Sequence, residues 1–232
     1  RRGGSGAPFN KAILTSTKFE EERIDTKNYG VLYCIRAIKG NVYACGQSSQ
    51  VYMRADGHWG PVGQGITNDN SITFESIDGN GADDIYAVGQ EGAVFHFNGY
   101  RWRQISFPTN RPLSSIRCIS KQEVYICGND GLFFKGHDDS WEDLTDVSKS
   151  YNFWDVEIFQ NCVYLSHHKG IVVFDGQIHA DVDFRMQKAV SCHKLHANDG
   201  CLWSFGVDDL LKFDGSNWME VLCPENEPRA GE

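Results

Sequence analysis

The chain has 232 residues, of which 41% are hydrophobic and 23% charged, a composition that excludes intrinsic disorder and a length that suits one large all-β domain. Its net charge of −9 argues against an electrostatic grip on nucleic-acid phosphates or anionic lipid and suits a basic partner. No run of about 18 apolar residues occurs, so no membrane-spanning helix is expected.

In chain order, residues 1–30 precede the first clear repeat. The opening Arg1-Arg2-Gly3-Gly4-Ser5-Gly6 has no apolar core of a signal peptide. Asn10-Lys11-Ala12-Ile13-Leu14-Thr15-Ser16-Thr17 reads as one strand, either closing a ring against the last unit or left from an earlier one. Five similar units follow, over about residues 31–62, 72–105, 113–144, 152–180 and 188–222. Residues 31–224 are read as the repeat domain and 225–232 as a polar, disordered tail.

The units are aligned by the aromatic residue of their second strand. Tyr43, Tyr86, Tyr125, Tyr164 and Trp203 recur at spacings of 43, 39, 39 and 39 residues. Three residues after each stands Gly46, Gly89, Gly128, His167 or Gly206, where the glycines are expected to permit a turn. Farther on come Trp59, Trp102, Trp141 and Trp218, with Ala180 in the fourth unit. Asp56-Gly57, Asn98-Gly99, Asp175-Gly176 and Asp214-Gly215 mark hairpins, because these pairs tolerate positive φ. A period near 40 with four short strands per unit is the signature of a β-propeller. One such sheet cannot bury both of its faces, whereas radially stacked sheets cover each other. Five blades are visible, and the ring is expected to hold five or six.

The core Asp83-Asp84-Ile85-Tyr86-Ala87-Val88-Gly89, followed by Gly92, an aliphatic-aromatic strand, Asn98-Gly99 and Trp102, resembles bacterial propeller repeats of the Asp-Asp-Val-Trp-Ala-Val-Gly type. The resemblance covers about residues 31–222 and implies the fold. Phe213-Asp214-Gly215-Ser216-Asn217-Trp218 is distantly similar to the Asp-box of sialidase-type repeats, with a shortened spacing. That family's catalytic arginine triad has no matching positions here, so no catalytic residue is carried over.

Candidate binding residues follow from the frame. The turns between second and third strands, Gln47-Ser48-Ser49-Gln50, Gln90-Glu91, Asn129-Asp130, His167-His168-Lys169 and Val207-Asp208-Asp209, are expected on one face around the channel mouth. They differ between copies while the scaffold does not. The binding set is therefore Gln90, Glu91, Asn129, Asp130, Trp154, His167, His168, Lys169, Asp208 and Asp209. No metal or cofactor is expected: adjacent histidines on a strand point to opposite faces, and Cys192-His193 with His196 matches no closed zinc spacing. Asp78-Gly79-Asn80-Gly81-Ala82-Asp83 resembles the start of a calcium loop but lacks the distal Glu, and a plain turn is expected there.

None of the 8 cysteines forms a Cys-x-x-Cys pair. Cys45 and Cys127 stand where the second unit has Val88, as small buried hydrophobes do, which favours reduced thiols and a cytoplasmic protein. With no catalytic motif present, the expected function is a non-catalytic protein-binding propeller, in its specific form a bacterial immunity-type protein that neutralises a toxin partner. The alternatives are a carbohydrate-active enzyme or lectin, using mouth carboxylates such as Glu91, Asp130, Asp208 and Asp209, and a multi-partner scaffold.

Overall fold

A computed structural model describes residues 21–66, 72–177 and 179–222. The strand at 10–17, the tail at 225–232 and Cys223 lie outside these residues. The described strands form five four-stranded antiparallel sheets, each a sequential meander. Blade 1 holds β1 (Leu32–Ile38), β2 (Asn41–Gly46), β3 (Val51–Ala55) and β4 (His58–Pro61). Blade 2 holds β5 (Phe74–Gly81), β6 (Asp84–Gly89), β7 (Val94–Phe97) and β8 (Trp102–Gln104). Blade 3 holds β9 (Leu113–Ser120), β10 (Glu123–Gly128), β11 (Phe133–His137) and β12 (Ser140–Asp143). Blade 4 holds β13 (Asp155–Phe159), β14 (Cys162–His167), β15 (Gly170–Phe174) and β16 (His179–Asp181). Blade 5 holds β17 (Lys194–Asn198), β18 (Cys201–Phe205), β19 (Leu210–Phe213) and β20 (Trp218–Glu220).

The blades stack about an axis as a β-propeller. The first strand of each blade is innermost: β1 packs beside β5, β5 beside β9, β9 beside β13 and β13 beside β17. Each blade is apolar on both faces, so the cores lie between blades. Tyr43 and Cys45 meet Ile77, Ala87, Phe95 and Trp102 of the next blade. One step on, Tyr86 and Val88 meet Ile116, Ile126 and Phe134. Tyr125 and Cys127 then meet Val156 and Leu165, and Tyr164 meets Leu195, Leu202 and Leu211. The recurrent tyrosine is thus the side chain each blade lends to its successor, and burying such a ring contributes roughly 1.5–3 kcal/mol.

A polar lattice ties the inner strands together one repeat apart. The Asp78 carboxylate accepts the Cys118 backbone N–H at 2.9 Å. Asp155 accepts the Ser115 hydroxyl at 2.5 Å and the Leu195 N–H at 3.0 Å. Arg117 donates two hydrogen bonds of 2.7 Å to Glu157 and reaches Asp78 at 3.5 Å. Each acid therefore joins neighbouring blades, as buried carboxylates must if they are to remain paired. Asp78 lies inside β5 in this lattice, so the calcium-like stretch is mostly strand rather than a turn.

The frame glycines have a different cause from the expected turn. Gly89 and Gly128 have φ of −177° and −167°, an extended backbone open to any residue. A Cβ on Gly89 would instead meet the Thr73 carbonyl oxygen at 1.9 Å, and one on Gly128 the Pro112 oxygen at 2.3 Å. They are required by close backbone approach. At the Asn98-Gly99 turn β7 and β8 form the expected hairpin, with Gly99 at a φ of 87°, and the Asn98 side-chain oxygen accepts the N–H groups of Tyr100 and Arg101 at 3.1 and 3.0 Å, an Asx-type closure of the turn.

Candidate functional site at the channel mouth

The turns between second and third strands in blades 1 to 3 share one construction. In blade 2 the Gln90 N–H donates to the Thr73 carbonyl and the Ala93 N–H to the Gln90 carbonyl, both at 3.0 Å. In blade 3 the Asn129 N–H donates to Pro112 at 3.1 Å and the Gly131 N–H to Tyr151 at 2.6 Å. Blade 1 repeats the pattern with Gln47 on Val31 and Ser49 on Ile72, both at 2.9 Å. Ser48, Glu91 and Asp130 at the tips carry φ of 53°, 58° and 55°. Each of these three turns is thereby fastened to the segment entering its own first strand, and those of blades 1 and 3 also to the segment entering the next blade.

At this end of the inner strands lies a cavity of about 450 Å³ lined by Tyr33, Glu75, Gln90, Pro112, Leu113, Ser114, Asn129, Trp154, His193 and Lys194. All five blades contribute, which places it at the mouth of the central channel. Five of the lining residues occupy one repeat position. Tyr33, Glu75, Ser114, Trp154 and His193 each stand two residues before the inner-strand aliphatic Ile35, Ile77, Ile116, Val156 or Leu195. The scaffold position stays aliphatic while the mouth position is in turn aromatic, acidic, hydroxylic, aromatic and imidazole. The cavity thus presents an uneven surface that differs on every side.

The Trp154 and His193 rings meet edge to face at 4.1 Å between centroids, and His168 lies 6.3 Å from Trp154. Glu75 accepts the Gln90 side-chain amide at 2.6 Å, which holds one acid and one amide in fixed orientation at the rim. Lys194 adds a cation, its ammonium 4.0 Å from Asp155. Aromatic rings beside a few oriented polar groups are the usual make-up of a recognition surface.

The ten expected binding residues divide accordingly. Gln90, Asn129 and Trp154 line the cavity. Glu91, Asp130, His168, Lys169 and Asp208 are exposed on the same turns, outside its lining. His167 is buried, its ring stacked on Tyr151 at 3.9 Å and 6°; burial and the neighbouring His168 lower its pKa to about 4. Asp209 is a fastening rather than a free acid, because it accepts the backbone and hydroxyl donors of Ser191 at 2.8 and 2.9 Å and pairs with Lys188 at 2.8 Å. Burial works to raise its pKa, but the Lys188 and Ser191 bonds outweigh that and hold the carboxyl below the usual range.

Tyr33, Glu75, Ser114, His193 and Lys194 were not in the expected set. The signal for them was the repeat frame read at the inner strand instead of at the turns. Within the lining of the mouth Glu75 is the one carboxylate, so the acid pair that glycoside hydrolysis uses is not assembled there. Among the described residues no group of three His, Cys, Asp or Glu side chains is placed to hold a metal, and seven described cysteines are free thiols.

With the mouth described, its relatives can be placed. No family model matches the chain. It resembles an immune protein. Immune protein Tsi7 of Pseudomonas aeruginosa is 33% identical over 192 residues, which are 81% of this chain and 63% of Tsi7. The chain therefore spans less than two thirds of Tsi7's length. Among solved structures it is similar to YCF48 from Cyanidioschyzon merolae, with a TM-score of 0.57 at 13% identity over 78% of this chain and 66% of that one. The WD40 β-propeller domain of Doa1 gives 0.60 at 13% identity over 79% and 64%. The designed Ika8 protein gives 0.62 at 13% identity over 82% and 58%. At such identity the likeness is one of fold, and the fold is the β-propeller.

Proposed function

We infer that this chain is a bacterial immunity-type protein that binds a toxin through its channel mouth. The observation that carries the reading is the likeness to Tsi7 over 192 residues. The geometry supplies a fitting surface, since a mouth carrying Trp154, Tyr33 and His193 offers the large, rigid side chains that dominate protein interfaces. The net charge of −9 favours a basic partner and fast, steered association. Reduced thiols accord with a cytoplasmic protein, and the repeat type with a bacterial one.

The test is protection. The partner is captured from the native cell, identified by mass spectrometry and expressed alone. It should be toxic alone and harmless alongside this chain, and Trp154→Ala should weaken binding by about 2 kcal/mol or more, as loss of a central aromatic does, with the fold retained by circular dichroism. A captured partner that is harmless alone, or protection indifferent to Trp154→Ala and to Tyr33→Ala, overturns the reading or its site.

A further inference from the structure

Among the described residues the stack is open between blade 5 and blade 1. The same repeat positions show it from both sides. Ile77, Ile116, Val156 and Leu195, each pressed against the preceding blade, are 0%, 0%, 1% and 6% exposed, while their counterpart Ile35 in blade 1 is 67% exposed. On the opposite face Cys45, Val88, Cys127 and Ser166 are all 0% exposed, and their counterpart Phe205 in blade 5 is 44% exposed. No strand packing comparable to that of the other neighbours joins β17 to β1 among the described residues, and the inter-blade cores run from blade 1 to blade 5 without a fifth that closes the circle.

Both uncovered faces have the character of blade cores. By register, Trp203, Phe205, Leu210, Met219 and Val221 share the free face of blade 5. On blade 1 the outer part of the free face is already covered by the segment over residues 21–30, where Glu22 accepts hydrogen bonds from Arg54 and Trp59. The inner strip of Tyr33, Ile35 and Ala37 stays exposed.

We propose that this seam is filled by at least one further four-stranded blade of the same repeat, carried on the same polypeptide as it occurs in the cell. One face of the seam is a front face and the other a back face, so what fits between them is a sheet with a back face for Phe205 and a front face for Ile35. A blade of this repeat has both. A soluble protein does not leave two facing apolar strips of this kind to water without an occupant. The length comparison agrees: Tsi7 and the superposed propellers each extend well beyond the part this chain covers.

The test uses the polypeptide as its own gene encodes it. A coding sequence that carries no further blade-length repeat overturns the proposal at once. Where it carries one, Ile35→Asp is compared with Ile77→Asp by urea unfolding and light scattering. The expected result is a loss of midpoint for Ile35→Asp equal to that for Ile77→Asp, in a particle of one chain. A wild-type midpoint for Ile35→Asp means the seam faces water, and a two-chain particle that Ile35→Asp splits means a second copy fills it; either overturns the proposal. If the aspartate variants do not fold, Ile35→Cys is labelled with a maleimide and read at that position by peptide mass spectrometry. Labelling at least about tenfold slower than at Ile119→Cys supports a filled seam, and equal labelling rates refute it.

Discussion

His167 shows how a single side chain changes meaning when its surroundings are known. By position it replaces a frame glycine beside a polar turn, which reads as an exposed binding residue. Its ring instead lies flat on Tyr151, with Phe153 edge-on at 6.3 Å, a contact supplied by the connection into blade 4. Nothing local to residues 167–169 announces that contact. The consequence is measurable. Burial and His168 depress its pKa from 6.5 to about 4, against a raising influence from Asp181. The folded state therefore keeps the ring neutral where the unfolded chain would already be protonated. This contribution is fully present above pH 6.5 and is lost as pH falls toward 4. Unfolding midpoints taken across that window should fall with acid in the wild type. His167→Phe, which keeps an aromatic ring on Tyr151 without the proton, should remove that part of the slope. Parallel pH profiles for the two proteins would show that His167 does not report the window.

At the level of strands and blades, the frame was legible because packing repeats. The Tyr of blades 1 to 4 and the aliphatic before it in blades 2 to 5 face a neighbouring blade, so they recur in sequence as they do in space. The mouth was only partly legible. Polar turns announce themselves, and Gln90 and Asn129 do reach the cavity. Tyr33, Glu75, Ser114 and His193 have no composition in common, and their shared place follows only from the strand start they occupy. The inner lattice was not legible at all, because it joins residues about 40 apart whose chemistry differs from blade to blade. Arg117 carries the clearest prediction at this scale. Its side chain stands between Asp78 and Glu157, whose side chains are 7% and 3% exposed. Arg117→Met would leave two buried carboxylates without their cation, and removing one member of such a group costs roughly 3–5 kcal/mol. Urea unfolding should show that loss with the m-value unchanged. A shift below about 1 kcal/mol would mean that water already screens the site.

Across the whole molecule, stability is a matter of neighbours. Each inter-blade core joins two adjacent blades, so blade 3 is supported on both sides and lies farthest from the seam, while blades 1 and 5 are supported on one. In a stack of this kind the free energy of local opening is set by how many faces a unit has covered. Periodicity reveals that blades exist and in what order; it does not reveal whether the first touches the last, which is why the seam was beyond reach of the repeat pattern. Amide hydrogen exchange on the 232-residue polypeptide separates the arrangements. Exchange should be slowest in β9, β10 and β11, whose blade is enclosed by Val88, Val94, Phe153 and Leu165 of its two neighbours. It should be at least about tenfold faster in β1 and in β17 to β20, where one face of the sheet lacks a neighbour. Blade 5 should be the fastest, because blade 1 has its outer half held by the Glu22 contact with Arg54 and Trp59, whereas Met219, Val221 and Leu222 stand open. Equal protection in all blades would mean that blades 5 and 1 close on each other in solution, with Ile35 and Phe205 buried between them.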